Sequence, residues 1–145
     1  MTVRLRRQND AVHFVAENAH GNTVHVDGAE AIGGENAGFR PMQLLLAALG
    51  SCASMDVVPI LKKQRQDVRD VQVRIDGERK PDATPSPFTS IHIHFTVYGN
   101  VDSAKAERAV SLAVEKYCSV AESLAENINL THSCSVESET QAAQE

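Results

Sequence analysis

The longest apolar stretch of the chain runs from Arg40 to Arg65 and limits the possible folds more than any other feature. Pro41 suits the first turn of a helix, where its missing N–H costs nothing. Lys62 and Lys63 place cations where they favour a helix C-terminus. Between these ends the stretch is apolar nearly all round, which is typical of a helix buried on every side. We therefore expect a long buried central helix with the rest of the domain around it.

A membrane span is the alternative interpretation of this stretch. Met42 to Leu61 matches the ~20 predominantly apolar residues that a span requires. The segment also carries Pro59 and Asp56, and an aspartate at mid-span costs about 3 kcal/mol on insertion scales. These residues favour the buried helix of a soluble protein, with no membrane partner.

Length and charge narrow the class further. The 145 residues predict a single domain, 1–145. The net charge of -5 and the lack of a basic stripe argue against nucleic acid as a partner. The first ten residues contain no apolar signal segment, so we expect a cytoplasmic protein. Its three cysteines are then expected to be thiols and not a disulfide framework.

Alternation of apolar and polar residues predicts strands on both sides of the central helix. Three short strands are expected before residue 40, two longer ones over 68–79 and 88–98, and a last one over 128–136, followed by a polar tail. Asp102 or Ser103 can cap a helix that continues to Tyr117. The order βββ–α–ββ–α–α–β predicts an α+β domain, with antiparallel sheets wrapped around the long helix.

Two of the cysteines occupy positions of chemical interest. Cys52 lies in the middle of the predicted helix, where a free cysteine is often a small buried hydrophobe. Cys118 directly precedes Ser119, which forms a capping-box pattern with Glu122. The positive end of a helix favours a thiolate and lowers its pKa. One thiol can react with a peroxide to give a sulfenic acid, which a second thiol converts to a disulfide. The spacing alone leaves open whether the two cysteines meet, and Cys134 in the last strand is interpreted as structural.

Three motifs carry a resemblance to a known family. The segments 38–45 (GFRPMQLL), 47–52 (AALGSC) and 115–120 (EKYCSV) resemble the OsmC/Ohr family of peroxide-reducing thiol proteins. The predicted element order matches that family across nearly the whole chain. The pattern Arg-Pro-x-Gln-Leu-Leu-Leu, with Asp-Val-Val after the cysteine, is similar to a less characterised OsmC-like branch.

The resemblance implies a fold, a partner and a chemistry. It implies an intertwined homodimer with two active sites at the subunit interface. It implies that Cys52 is the peroxidatic thiol and Cys118 the resolving thiol. We expect no cofactor and no metal. The implied substrates are organic hydroperoxides, and the implied reductant is a dithiol such as a lipoyl group. We therefore expect a thiol-dependent peroxidase of oxidative-stress defence.

The chain departs from the peroxidase branches at the residues that activate the thiol. Met42 occupies the place of a glutamate that orients an arginine in those branches, and the turn expected to hold that arginine offers only His20. An ordinary thiol is only a few per cent ionised at neutral pH, so a cationic partner is needed. Arg40 is the candidate. It lies about 18 Å along the helix from Cys52, so the partner chain is its simplest route to the thiol. Otherwise Arg40 is a solvated charge.

Two further interpretations remain open. His92 and His94 lie two residues apart on one strand face, a spacing that can place two imidazoles on one metal, although no cysteine or carboxylate completes a ligand set. The second is a protein that keeps the family fold but binds a small molecule without efficient catalysis. The substitution at Met42 and the apolar surroundings of Cys52 motivate it.

Overall fold

The computed structural model describes residues 1–138 and contains the predicted order of strands and helices. The chain divides into two compact units, Met1–Leu45 and Leu46–Glu145. The predicted polar tail lies, from residue 139 onward, outside the described residues. The assignment of 1–145 to one domain stays a prediction.

The first unit contains an antiparallel meander of three strands, as the alternating pattern predicts. The strands are β1 (Val3–Arg7), β2 (Phe14–Asn18) and β3 (Thr23–Val26). The strand β2 lies in the centre and pairs with both neighbours. After β3 the chain forms a loop with a short 3-10 turn, Glu30–Ile32, before it enters the long helix.

The second unit holds a three-stranded sheet with helices against it. The long helix α1 (Pro41–Lys63) begins in the first unit and continues into this one. The remaining elements are β4 (Asp67–Arg79), β5 (Phe88–Asn100), α2 (Ser103–Leu112), α3 (Ser119–Glu122) and β6 (Asn129–Glu137). Asp102 caps α2 by accepting a hydrogen bond from the Lys105 N–H at 2.9 Å, so one of the two predicted caps is confirmed.

The prediction that the sheets are antiparallel is wrong for one strand. The strands β4 and β5 pair antiparallel, but β6 runs parallel to β5, with Ile93 opposite His132. The reason is the connection: α2 and α3 carry the chain back to the end of the sheet where β5 began. A crossover of this length is what parallel neighbours require.

The core of the second unit lies between this sheet and α1. Alternate residues of β5 are buried on one face: Ile91, Ile93, Phe95 and Val97. The helix contributes a stripe spaced four residues apart: Leu49, Ala53, Val57 and Leu61. Gly50 adjoins that stripe and packs closely against β4. A Cβ at this position would lie 2.1 Å from the Ile75 Cδ1 atom, so the close approach requires glycine.

The expectation that α1 is buried on every side is wrong for the chain by itself. The helix is long and apolar enough to cross a membrane, a property that the core helices of soluble proteins share. Only 28% of its most apolar 18-residue window is buried, and Met55 is 74% exposed. The three-stranded sheet covers one stripe of the helix, and much of its other apolar surface stays exposed within residues 1–138.

Candidate functional site

Cys118 lies between two helical segments. The second of them begins one residue earlier than the capping-box pattern predicts. After α2 the chain continues as a π-helical turn, Ala113–Tyr117, and the Cys118 N–H closes it by donating to the Ala113 carbonyl at 2.9 Å. The Cys118 Sγ then accepts a hydrogen bond from the Ala121 N–H at 3.3 Å. The cap of α3 is therefore the cysteine, whose backbone is extended, and Ser119 is the first helical residue.

The Cys118 thiol is buried against the long helix. It is 3% exposed, and it donates to the Leu49 carbonyl of α1 at 3.9 Å. Burial raises the pKa of the Cys118 thiol, and the hydrogen bond from Ala121 offsets only part of that rise. The expected lowering of the Cys118 pKa is therefore wrong, because desolvation outweighs the positive end of a four-residue helix.

Cys52 lies on α1 beside Cys118. The Cys118 thiol donates to the carbonyl of Leu49, three residues before Cys52, and the nearby Cys52 raises the pKa of the Cys118 thiol further. The structure thus brings together the two cysteines that the sequence selected, and both are free thiols. Cys52 is half-buried and the more accessible of the two. An accessible thiol beside a buried protonated one is an arrangement that can form and close a disulfide.

Arg40, the third candidate residue, lies in the first unit. Its Nη1 donates to the Asp27 carbonyl at 3.1 Å, and its Nη2 donates to the Asn36 side chain. Its backbone N–H donates to the Gln43 side chain at 2.9 Å, at the start of α1. The guanidinium therefore braces the loop after β3. The action of Arg40 on the Cys52 thiol stays a prediction. His20, the residue that the sequence offers in the turn between β2 and β3, is exposed.

Two cavities of the second unit adjoin the Cys118 segment. The first has a volume of about 520 Å³, and Cys118 forms part of its wall. The second, about 420 Å³, is lined by α1 and α2 residues and by the residue before the cysteine: Asp56, Pro59, Ile60, Lys63, Gln64, Leu112 and Tyr117. Tyr117 lines both cavities. Asp56 forms no ion pair within 4.0 Å inside residues 1–138.

One polar group beside Cys118 was missed in the sequence analysis. The Glu115 carboxylate contacts the His132 Nε2 of β6 at 3.0 Å and accepts a hydrogen bond from the Ser111 hydroxyl of α2 at 3.1 Å. The hydrogen bond with His132 lowers the pKa of Glu115, and the bond with Ser111 adds to this. Ser111 and Glu115 are four residues apart on a predicted helix, which was a usable signal. His132 lies seventeen residues farther along the chain, and its contact with Glu115 left no signal in the sequence.

The two histidines of β5, His92 and His94, form hydrogen bonds with hydroxyl groups. The two rings hydrogen-bond along the face of β6 with Thr131, Ser133 and Ser135, at 2.7 to 3.2 Å. No group of three or more metal-ligating side chains forms within the described part of the chain. Cys134 lies in β6, and burial with the nearby Glu107 charge raises its pKa to about 11.

Known proteins share both the sequence and the fold. The family model described as OsmC-like protein matches residues 33–133. The protein YhfA of Escherichia coli K12 is 43% identical over 131 residues, which cover 88% of this chain and 92% of that protein. A hypothetical protein from Aquifex aeolicus VF5 is 33% identical, with a TM-score of 0.77 over 94% of this chain and 96% of the other.

A more distant structure shares the fold. An organic hydroperoxide resistance protein OsmC from Legionella pneumophila superimposes with a TM-score of 0.68 at 20% identity, covering 94% of this chain and 98% of the other. The family model covers both cysteine motifs, and the relative in Escherichia coli extends the match over most of the chain. This chain therefore belongs to the family of OsmC-like proteins.

Proposed function

We propose that this protein reduces organic hydroperoxides, with Cys52 as the attacking thiol and Cys118 as the resolving thiol. The observation that carries the proposal is the position of the Cys118 thiol, which donates to the Leu49 carbonyl of α1 at 3.9 Å, three residues before Cys52. The nearness of Cys52 also raises the pKa of Cys118. The family membership and the distant structural likeness to a hydroperoxide resistance protein support the substrate class. The biological role is oxidative-stress defence in the cytoplasm.

The different surroundings of the two thiols support the assignment of roles. Cys52 is accessible enough to meet a peroxide, whereas Cys118 is buried and its raised pKa keeps it protonated at neutral pH. A resolving thiol that stays protonated does not compete for the peroxide. It also forms no anion that would repel a Cys52 thiolate.

The reaction has two steps within the protein. The Cys52 thiolate attacks the peroxide oxygen farther from carbon, so an S–O bond forms, the O–O bond breaks, and the alkoxide leaves as an alcohol after taking a proton. The Cys118 sulfur then attacks the Cys52 sulfenic acid, a disulfide forms and water leaves. An external dithiol, such as a lipoyl group, restores both thiols by exchange.

A homodimer completes the proposal. Within residues 1–138 much of the apolar surface of α1 stays exposed, and a second copy is the cover that the family resemblance implies. In such a dimer the active sites lie at the interface, where Arg40 from the partner chain supplies the cation that Cys52 needs. The measured mass in dilute solution tests this, since a stable folded monomer contradicts the shared site.

Steady-state turnover of cumene hydroperoxide with a dithiol tests the activity. We expect turnover by the wild type and its loss, by a factor of a hundred or more, in Cys52→Ser, because the attacking sulfur is gone. Peptide mass spectrometry after peroxide treatment should find Cys52 linked to Cys118. Full turnover by Cys52→Ser contradicts the proposal. The matched control is Cys134→Ser, which should retain turnover.

A second candidate function is the binding of a small apolar molecule without catalysis. The cavity of about 420 Å³ favours it, because Pro59, Ile60 and Leu112 give it apolar walls. A ligand with an apolar body fits that lining. Absence of turnover with every dithiol, together with binding of such molecules, favours this function over the first.

A further inference from the structure

We propose that Glu115 is a positioning residue that sets the rate of disulfide closure by holding Cys118 in place, while it leaves the reactivity of Cys52 unchanged. The inference rests on the proposed pairing of Cys52 with Cys118. It concerns the Cys118 turn, defined as residues 113–122, which contains the π-helical turn, the cysteine and α3.

The Cys118 turn contains little regular hydrogen bonding of its own. Its π-helical part is a wide turn, which is rare and is found mostly at functional sites. The Cys118 N–H reaches back five residues to Ala113, and α3 is only four residues long. The buried Ala113 and Val114 anchor this segment on the inside, so its outer side keeps one conformation only if other side chains fasten it to its neighbours.

Glu115 provides that fastening on two sides. One carboxylate oxygen contacts His132 on β6 at 3.0 Å, and the other accepts from Ser111 on α2 at 3.1 Å. The turn is thereby tied both to the helix before it and to the sheet. Because Cys118 is three residues farther along, the same contacts fix the direction from which its sulfur approaches Cys52. Hydrogen bonds to a charged group are roughly twice as strong as neutral ones.

The other charged groups near Glu115 do not make the same connection. Lys116 lies over the Tyr117 ring, 5.6 Å from its centroid, and Glu122 lines the cavity beside Cys118. Within residues 1–138, Glu115 with His132 is the side-chain hydrogen bond that joins this turn to β6. Loss of the Glu115 carboxylate therefore loosens the turn without altering α1, which carries Cys52.

A thiol exchange assay isolates the closure step without peroxide. In a Cys134→Ala background, dithiobis(nitrobenzoate) reacts with the Cys52 thiolate, which forms a mixed disulfide and releases one nitrothiobenzoate. The Cys118 thiolate then attacks the Cys52 sulfur, forms the internal disulfide and releases a second nitrothiobenzoate, and its own proton passes to solvent. A Cys118→Ala variant shows only the first release and so assigns the two phases.

The Glu115 side chain is 65% exposed, so solvent weakens its contacts. We expect Glu115→Ala to slow the second release about fivefold and to change the first by less than about twofold. Glu115→Gln keeps an oxygen acceptor and should recover most of the lost rate. Glu126→Ala removes an exposed carboxylate after α3 and is the matched control, with both phases unchanged. If Glu115→Ala fails to fold, Ser111→Ala removes one of the two contacts and should slow closure about threefold.

The inference is overturned if the second release is unaffected, if both releases slow equally, or if the glutamine variant is as slow as the alanine variant. A second release that is absent from the wild type overturns the pairing of the cysteines as well. Loss of peroxide turnover alone, with normal exchange phases, contradicts the proposed function and leaves the role of Glu115 intact.

Discussion

Two irregular segments of this protein are each built around one buried side chain, and they shift the pKa of that side chain in opposite directions. The first is the Asp27 loop, defined as residues 27–40, and the second is the Cys118 turn. Asp27 is 1% exposed and Cys118 is 3% exposed, so burial is nearly equal. The Asp27 carboxylate accepts three backbone hydrogen bonds, from Gly28, Glu35 and Ala37 at 2.7 to 3.0 Å. The Cys118 sulfur accepts one, from Ala121.

The number of backbone donors decides in which direction the pKa of each group moves from its ordinary value. The hydrogen bond from Ala37 lowers the pKa of Asp27 most, and those from Glu35 and Gly28 add to it, so together they outweigh desolvation. At Cys118 desolvation is the largest effect and the pKa rises. Similar burial thus goes with a lowered pKa and a favoured anion at Asp27, and with a raised pKa and a favoured protonated form at Cys118. The first suits a structural anchor, and the second suits a group that must react late.

The largest expected effect follows from removing the anchor of the Asp27 loop. Asp27→Ala leaves three backbone N–H groups without their acceptor, and a Cβ at Gly34 would already overlap the Gly28 carbonyl, so the loop has no room to rearrange. We expect the Glu35 and Ala37 amides to exchange hydrogen at least about a hundredfold faster, and the melting temperature to fall by several degrees.

Glu35→Ala is the matched control, because it keeps the backbone N–H that Asp27 accepts and removes only an exposed side chain. Its amide exchange should stay at the wild-type rate. The lowered pKa adds a pH test: the stabilisation by Asp27 is present above the ordinary aspartate pKa and is lost as pH falls through the lower folded value. If the Glu35 and Ala37 amides of Asp27→Ala exchange hydrogen at the wild-type rate, Asp27 does not anchor the loop, and the comparison with Cys118 fails.

The next effect separates the two tasks of Cys118, which caps α3 and also carries the reactive thiol. Cys118→Ala removes the cap and should lower the free energy of unfolding by about 1 kcal/mol. Cys118→Ser restores an oxygen acceptor for the Ala121 N–H and should recover that stability, since serine is a preferred cap. Neither variant can form the disulfide. Denaturant unfolding measures the difference, and equal stability of the two variants means that the sulfur does not cap the helix.

The elements of this fold follow from local patterns, and their assembly does not. The strands and helices could be placed because alternation and cap residues are local signals, as at Asp102. The parallel placement of β6 depends on the end of the sheet to which α2 and α3 return the chain. No strand pattern in the sequence encodes that position. The apolar sequence of α1 indicates burial without stating which chain provides the cover. The second copy was expected from the family resemblance alone, and it stays a prediction.

The candidate site shows the same division between local signal and tertiary contact. Cys52 and Cys118 could be selected from their motifs, and the structure places them together. The direction of the Cys118 pKa was predicted wrongly, because a helix start is visible in the sequence while the depth of burial is not. Glu115 was overlooked because its partner His132 is reached only after β6 joins the sheet.

The smallest expected effect sharpens the comparison with a thiol that accepts no backbone hydrogen bond within the described residues. Cys134 is half-buried in β6, donates to the Ser135 carbonyl at 3.8 Å, and has a pKa of about 11, raised by burial and by the Glu107 charge. In the unfolded chain its thiol ionises at its ordinary, lower pKa. The unfolded state therefore binds fewer protons between the two values, and stability falls as pH rises through that window.

Replacement of Cys134 by alanine should remove this alkaline loss. Between about pH 8.5 and pH 11, Cys134→Ala should lose about 1 kcal/mol less stability than the wild type, after allowance for solvent screening of a half-buried group. The other groups with raised pKa values, Cys118 and Tyr98, are present in both proteins, so their contributions cancel in the difference. Val136→Ala, which changes no titrating group, should shift the whole stability curve in parallel. If Cys134→Ala also shifts it in parallel, desolvation of a buried thiol does not govern its charge state here.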